Sequence, residues 1–135
     1  MSGIVDLKTL LKQMSPEIQE GEYVFCTLSG SYADYEDLQP LASFVEPEGL
    51  TLILPLSAAK QANLPHENRF KQITLTVHSS LDAVGLTAAV SNQLTRYGIS
   101  ANVVAAYHHD HIFVPAAQAD KALEALLKLG EIEVP

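Results

Sequence analysis

The densest run of reactive side chains is Tyr107-His108-His109-Asp110-His111, three imidazoles and one carboxylate in succession. Neutral imidazole and carboxylate are good ligands for zinc and other first-row metals, so a metal centre is the first chemistry to weigh. Extended backbone sends successive side chains to opposite faces, which puts His109 and His111 on one face and His108 and Asp110 on the other. Neighbours arranged this way do not converge on one ion. The run is therefore expected to form a polar hairpin tip or one wall of an organic ligand site, with no bound metal.

Cys26 is the only cysteine, so no internal disulfide and no cysteine-rich zinc site can form. Between Phe25 and Thr27 it reads as a buried structural thiol, because no nearby group would lower its pKa. Serines are numerous, yet none sits in a Gly-x-Ser-x-Gly turn. Neither a phosphate-binding loop nor a dinucleotide fingerprint is present. The expectation is no catalytic residue and no cofactor.

Two loops suit ligand binding better. Ser79-Ser80-Leu81-Asp82-Ala83-Val84-Gly85 leads from a strand into a helix. Free amides at a helix start, with the positive end of its dipole, can hold a carboxylate. Gly85 lets another backbone or a ligand approach closely, and Asp82 is placed to cap the helix. Ser29-Gly30-Ser31 holds the matching place in the first half.

The elements around these loops follow from periodicity. Asp6 to Met14 reads as a helix with Leu7, Leu10, Leu11 and Met14 on one stripe. Glu22 to Leu28 reads as a strand, Tyr32 to Pro40 as an irregular acidic segment, and Ala42 to Val45 with Leu50 to Leu54 as a hairpin. Ser57 is placed to cap a short helix through Ala62. After His66-Glu67-Asn68, Gln72 to His78 alternates as a half-buried strand. A helix with Leu86, Val90, Leu94 and Tyr97 on one face follows, then a hairpin from Asn102 to Val114. Pro115 opens a last helix with Leu123, Leu126 and Leu127 inward.

The second half thus runs strand-helix-strand-strand-helix, most of a βαββαβ unit. The fold class expected is α+β, ferredoxin-like, with antiparallel sheets and helices on one face. The first half gives a degenerate copy by element order, its crossover helix reduced to the Tyr32–Pro40 loop. Two tandem units are expected, residues 1–66 and 67–135, with the leading helix covering the face left bare in the first.

Eight basic residues against 16 acidic ones give a formal net charge of -8, and 47% of the chain is hydrophobic. Such a chain can bury a core, and it has no basic stretch to neutralise phosphates, which argues against nucleic acid. The same field disfavours an anionic membrane surface. The start Met1-Ser2-Gly3-Ile4-Val5 lacks the pattern of a secretory signal, and Leu50 to Leu56 is too short to span a bilayer. A cytoplasmic protein is expected.

Leu81-Asp82-Ala83-Val84-Gly85-Leu86, followed by Asp110-His111-Ile112-Phe113-Val114-Pro115, resembles bacterial tandem ACT-like proteins related to the cytosolic arginine sensor of animal cells. The resemblance implies two ACT-like subdomains and recognition of an amino acid at an interface. It implies that Asp110 faces the ligand, that Gly85 is the helix-start glycine, and that the backbone of Tyr107 and His108 borders the pocket. With the loop residues, the expected ligand-binding set is Ser80, Asp82, Val84, Gly85, Tyr107, His108 and Asp110. The expected function is a ligand-binding regulatory protein without chemistry of its own. It is expected to self-associate as a homodimer and to act on an unidentified protein partner. The rivals are an assembly module with a dead pocket and a metal-binding protein built on the histidines.

Overall fold

The computed structural model describes residues 6–78 and 80–131. Ser79, and the reading of the Met1–Val5 start, fall outside the described residues. Two compact units divide the chain, one joining residues 1–20 to 71–135 and the other formed by 21–70. The sequence pattern suggested a single boundary near residue 66. Residues 6–20 pack with residues of the second half.

The larger unit opens with helix α1 (Leu7–Lys12), whose start is capped by Asp6 accepting the Thr9 amide at 3.1 Å. Leu10, Leu11 and Met14 bury its apolar stripe as expected, but they join the apolar cluster of the second half. Strand β1 (Pro16–Ile18) follows and pairs antiparallel with β5 (Phe70–Leu75), Glu17 opposite Thr74. Three residues led by a proline carry no alternation to read, so this strand is absent from the sequence analysis.

Helix α3 (Leu86–Arg96), strands β6 (Asn102–Ala105) and β7 (Asp110–Pro115) and helix α4 (Ala119–Leu129) complete the unit. The strand order is β1-β5-β7-β6, with Val104 opposite His111 in the β6–β7 hairpin. Leu86, Val90 and Leu94 of α3 pack with Ile73, Leu75, Ile112 and Val114 of the sheet. Each fully buried leucine of this kind contributes about 1.5–3 kcal/mol. The inward face of α4 is Ala122, Ala125, Leu126 and Leu129, with Leu127 52% exposed, so the expected Leu127 contact is corrected. Buried Gln93 joins the two helices, donating from Nε2 to the Ala125 carbonyl at 2.9 Å.

The smaller unit contains β2 (Tyr23–Leu28), two single-turn 3-10 segments at Tyr32–Asp34 and Glu36–Leu38, β3 (Ala42–Glu46), β4 (Gly49–Pro55) and α2 (Leu56–Gln61). The order β3-β4-β2 is antiparallel, and Phe70 pairs with Tyr23 on the far side of β2. Val24, Cys26, Leu50, Leu52, Leu54 and Ala59 form its core, so Cys26 is buried as expected. Pro55, not Ser57, precedes α2, and no side chain caps that helix. The crossover helix is reduced to the two 3-10 turns, as the acidic composition suggested. Among the described residues, no helix is long and apolar enough to cross a membrane.

Candidate functional site

The larger unit gathers the candidate residues around the turn that precedes α3. This helix starts later than expected, because Gly85 is its N-cap at φ +103° and Asp82 lies outside it. A side chain at Gly85 would be strained at that φ, and its Cβ would stand 3.0 Å from Leu7 Cδ2. Asp82 is exposed and bends back: its amide donates to Ser80 Oγ at 3.1 Å, while the Ala83 amide donates to the Ser80 carbonyl at 3.0 Å. Ser80 therefore shapes the turn, and the expected Asp82 cap is corrected. The helical ladder begins with the Ala89 amide on the Gly85 carbonyl, so the amides of Leu86, Thr87 and Ala88 precede it. Among the described residues no side chain caps this end, and its first turn carries no acidic residue. Val84 stands 83% exposed at the rim.

The β6–β7 hairpin reaches the same region. His109 donates from Nδ1 to the Val77 carbonyl at 3.3 Å, and the His78 and His108 ring centroids lie 5.1 Å apart. Tyr107 stands edge-on to His108 at 4.9 Å. His78 is thus a member that the alternation argument assigned only to a strand face. Among the described residues, no three His, Cys, Asp or Glu side chains converge as metal ligands.

Asp110 differs most from expectation. It is the first residue of β7 and only 9% exposed, not a solvated hairpin tip. Alternation puts it on the face of Ile112 and Val114, which share the apolar cluster of Leu86 and Val90. Burial raises its carboxyl pKa above the usual aspartate value, with His111 and His109 opposing. No hydrogen bond to the carboxylate is present among the described residues.

On the other face, His111 Nδ1 is met by Gln72 Nε2 at 2.9 Å and Thr74 Oγ1 at 3.0 Å. Both partners are 6% exposed, although the strand pattern suggested a half-solvated polar face. With the Gln72 amide donating, Nδ1 accepts and Nε2 carries the proton. Burial first, then His109, lowers the His111 pKa. His111 is a neutral structural acceptor in this arrangement.

The matching turn in the smaller unit already holds a carboxylate. Gly30 has the same φ of +103°, but Asp34 Oδ2 accepts the Ser31 amide at 2.9 Å. Tyr35 donates its hydroxyl to the Ser29 carbonyl, closing the loop further.

With this geometry in view, comparison with known proteins decides the family. The ACT domain pattern matches residues 2–71 and, in a second form, residues 69–128. The chain belongs to the ACT domain family. It is 54% identical to a Vibrio cholerae protein of unknown function, named a possible transport protein, over 92% of this chain and 95% of that one, with a TM-score of 0.85. An Agrobacterium tumefaciens protein has 19% identity and a TM-score of 0.72, covering 85% of this chain and 87% of that one. The regulatory subunit of aspartate kinase from Thermus thermophilus has 9% identity and a TM-score of 0.58, covering 84% of this chain and 95% of that one. At such identities the last two likenesses are of fold. Among curated proteins, no sequence matches. The tandem ferredoxin-like ACT arrangement agrees with the fold expected from the sequence.

Proposed function

We propose that this ACT protein is a ligand-binding regulator without catalytic activity, and that its ligand is an amino acid held in the larger unit. The amides of Leu86, Thr87 and Ala88 take the ligand carboxylate, where the helix dipole favours negative charge. Asp110 takes the ammonium or a basic side chain. Ser80 and Asp82 fix the turn, Gly85 keeps the helix start bare, and Val84, Tyr107 and His108 form the rim. Ligand that favours one arrangement of the chain over another gives the regulatory output, read by a separate protein.

The observation that carries this reading is a largely buried Asp110 on the sheet face whose Ile112 and Val114 share an apolar cluster with Leu86, the first residue of a helix without a side-chain cap among the described residues. A carboxylate partly withdrawn from water gains from a cationic group, and a ligand ammonium would offset the cost of its burial. A thermal-shift screen of the full chain against the twenty amino acids, followed by calorimetry, tests it. At least one amino acid should raise the melting temperature and bind saturably. A flat screen would overturn the amino-acid reading and leave an assembly module in its place.

A further inference from the structure

Two glycines with the same backbone angle meet different neighbours. Gly30 and Gly85 both have φ of +103°, and each leaves the space that a Cβ would take to another side chain. At Gly30 that space holds a carboxylate, since a Cβ there would stand 2.5 Å from Asp34 Oδ2. The same oxygen accepts the Ser31 amide, so this turn is satisfied from within. At Gly85 the space holds hydrocarbon. A Cβ there would stand 3.0 Å from Leu7 Cδ2 and 3.6 Å from Leu7 Cδ1.

Leucine and aspartate branch alike at Cγ, with methyls in one where the other has oxygens. Leu7 thus brings to Gly85 the outline of the group that Asp34 brings to Gly30, without its charge or its acceptors. The fold sets its place. Leu10, Leu11 and Met14 anchor α1 and the residues after it in the core, and Leu7 packs, partly buried, against their cluster. Gly85 leads into α3, where the amides of Leu86, Thr87 and Ala88 precede the helical ladder. Leu7 offers those donors no acceptor, and its hydrocarbon lowers the local dielectric, which strengthens the hydrogen bonds of an anion held there.

We propose that Leu7 is a specificity-determining residue of the amino-acid site: its uncharged side chain beside Gly85 reserves the α3 start for a carboxylate from outside the chain. This rests on the ligand reading, in which Asp110, 9% exposed, meets the other end of the ligand. It adds a residue from the far end of the chain, outside both motifs of the family resemblance. The side chain at position 7 decides whether this turn binds its own chain, as at Gly30, or a ligand.

Nuclear magnetic resonance of the isotopically labelled full chain, titrated with acetate at neutral pH and constant ionic strength, tests this. In the natural chain the amide signals of Leu86, Thr87 and Ala88 should move saturably. Leu7→Met keeps an apolar group at the turn and should bind acetate equally well. Leu7→Asn supplies a neutral acceptor and should weaken acetate measurably. Leu7→Asp supplies a tethered carboxylate that competes for the same amides and repels a second anion, and should weaken acetate about tenfold or more. Should Leu7→Asp fail to fold, the comparison of Leu7→Met with Leu7→Asn decides in its place. An acetate response equal in every folded chain overturns the role of Leu7 and leaves the ligand reading intact. No response in the natural chain removes the anion site, and both fall together.

Discussion

Gln72 Nε2 stands 2.9 Å from His111 Nδ1, joining a buried amide on β5 to a neutral imidazole on β7. With Thr74 Oγ1 at 3.0 Å from the same nitrogen, the one lone pair of Nδ1 is shared between two neighbours, and a ring proton there would meet the Gln72 amide hydrogens.

The first prediction is acid sensitivity. The folded pKa of His111 is lowered, mainly by burial, so the unfolded chain takes up a proton that the folded one resists. Stability from this residue is present above the unfolded value of about 6.5 and is lost as pH falls toward the folded value. Melting temperatures from pH 8 down to pH 5.5 should decline for the natural chain and less steeply for His111→Gln. Parallel slopes would remove His111 as the cause. Asp110 acts in the opposite sense at lower pH, because its raised pKa costs stability when ionised and is relieved on protonation.

Gln72→Ala should destabilise the fold by about 1–2 kcal/mol, the usual result of leaving a buried acceptor short of a donor. Combined with Thr74→Val, the loss should be non-additive, because both side chains serve the same nitrogen. Urea unfolding of the four chains measures this.

Gly85→Ala should destabilise the fold by about 1–3 kcal/mol through its positive φ alone. Adding Leu7→Ala relieves the 3.0 Å contact but not the backbone strain, so rescue should be partial. Full rescue in urea unfolding would show that crowding, not φ, makes glycine necessary.

On α4, Leu126→Ala should cost about 2–5 kcal/mol, as buried leucines do, while Leu127→Glu should stay within about 0.5 kcal/mol. The two adjacent leucines separate the helical face that packs from the one that does not.

Long periodic elements were legible in the sequence. The α3 face of Leu86, Val90 and Leu94, the β3–β4 hairpin and the ferredoxin-like order all follow from local pattern. Strand β1 was not, since Pro16–Ile18 is extended only because β5 supplies its partner. The place of α1 was missed for the same reason: its stripe is readable, but its packing partners lie far along the chain. At the site, the Asp82 cap followed from residue type, yet Ser80 takes the Asp82 amide and the helix waits for Gly85. A place among histidines near a turn suggests a solvated Asp110, whereas the residue is only 9% exposed. Its burial comes from the packing of the larger unit around β7, which only tertiary structure reveals.

The central claim is that Asp110 is kept buried for a ligand and not for the fold. Asp110→Asn removes a charge that burial disfavours, so without ligand its melting temperature should equal or exceed that of the natural chain. Calorimetry with the amino acid found in the screen should show affinity reduced about tenfold to a hundredfold, the loss of one charge-assisted hydrogen bond in a desolvated pocket. Unchanged affinity, or a collapse of the ligand-free fold, would contradict the account.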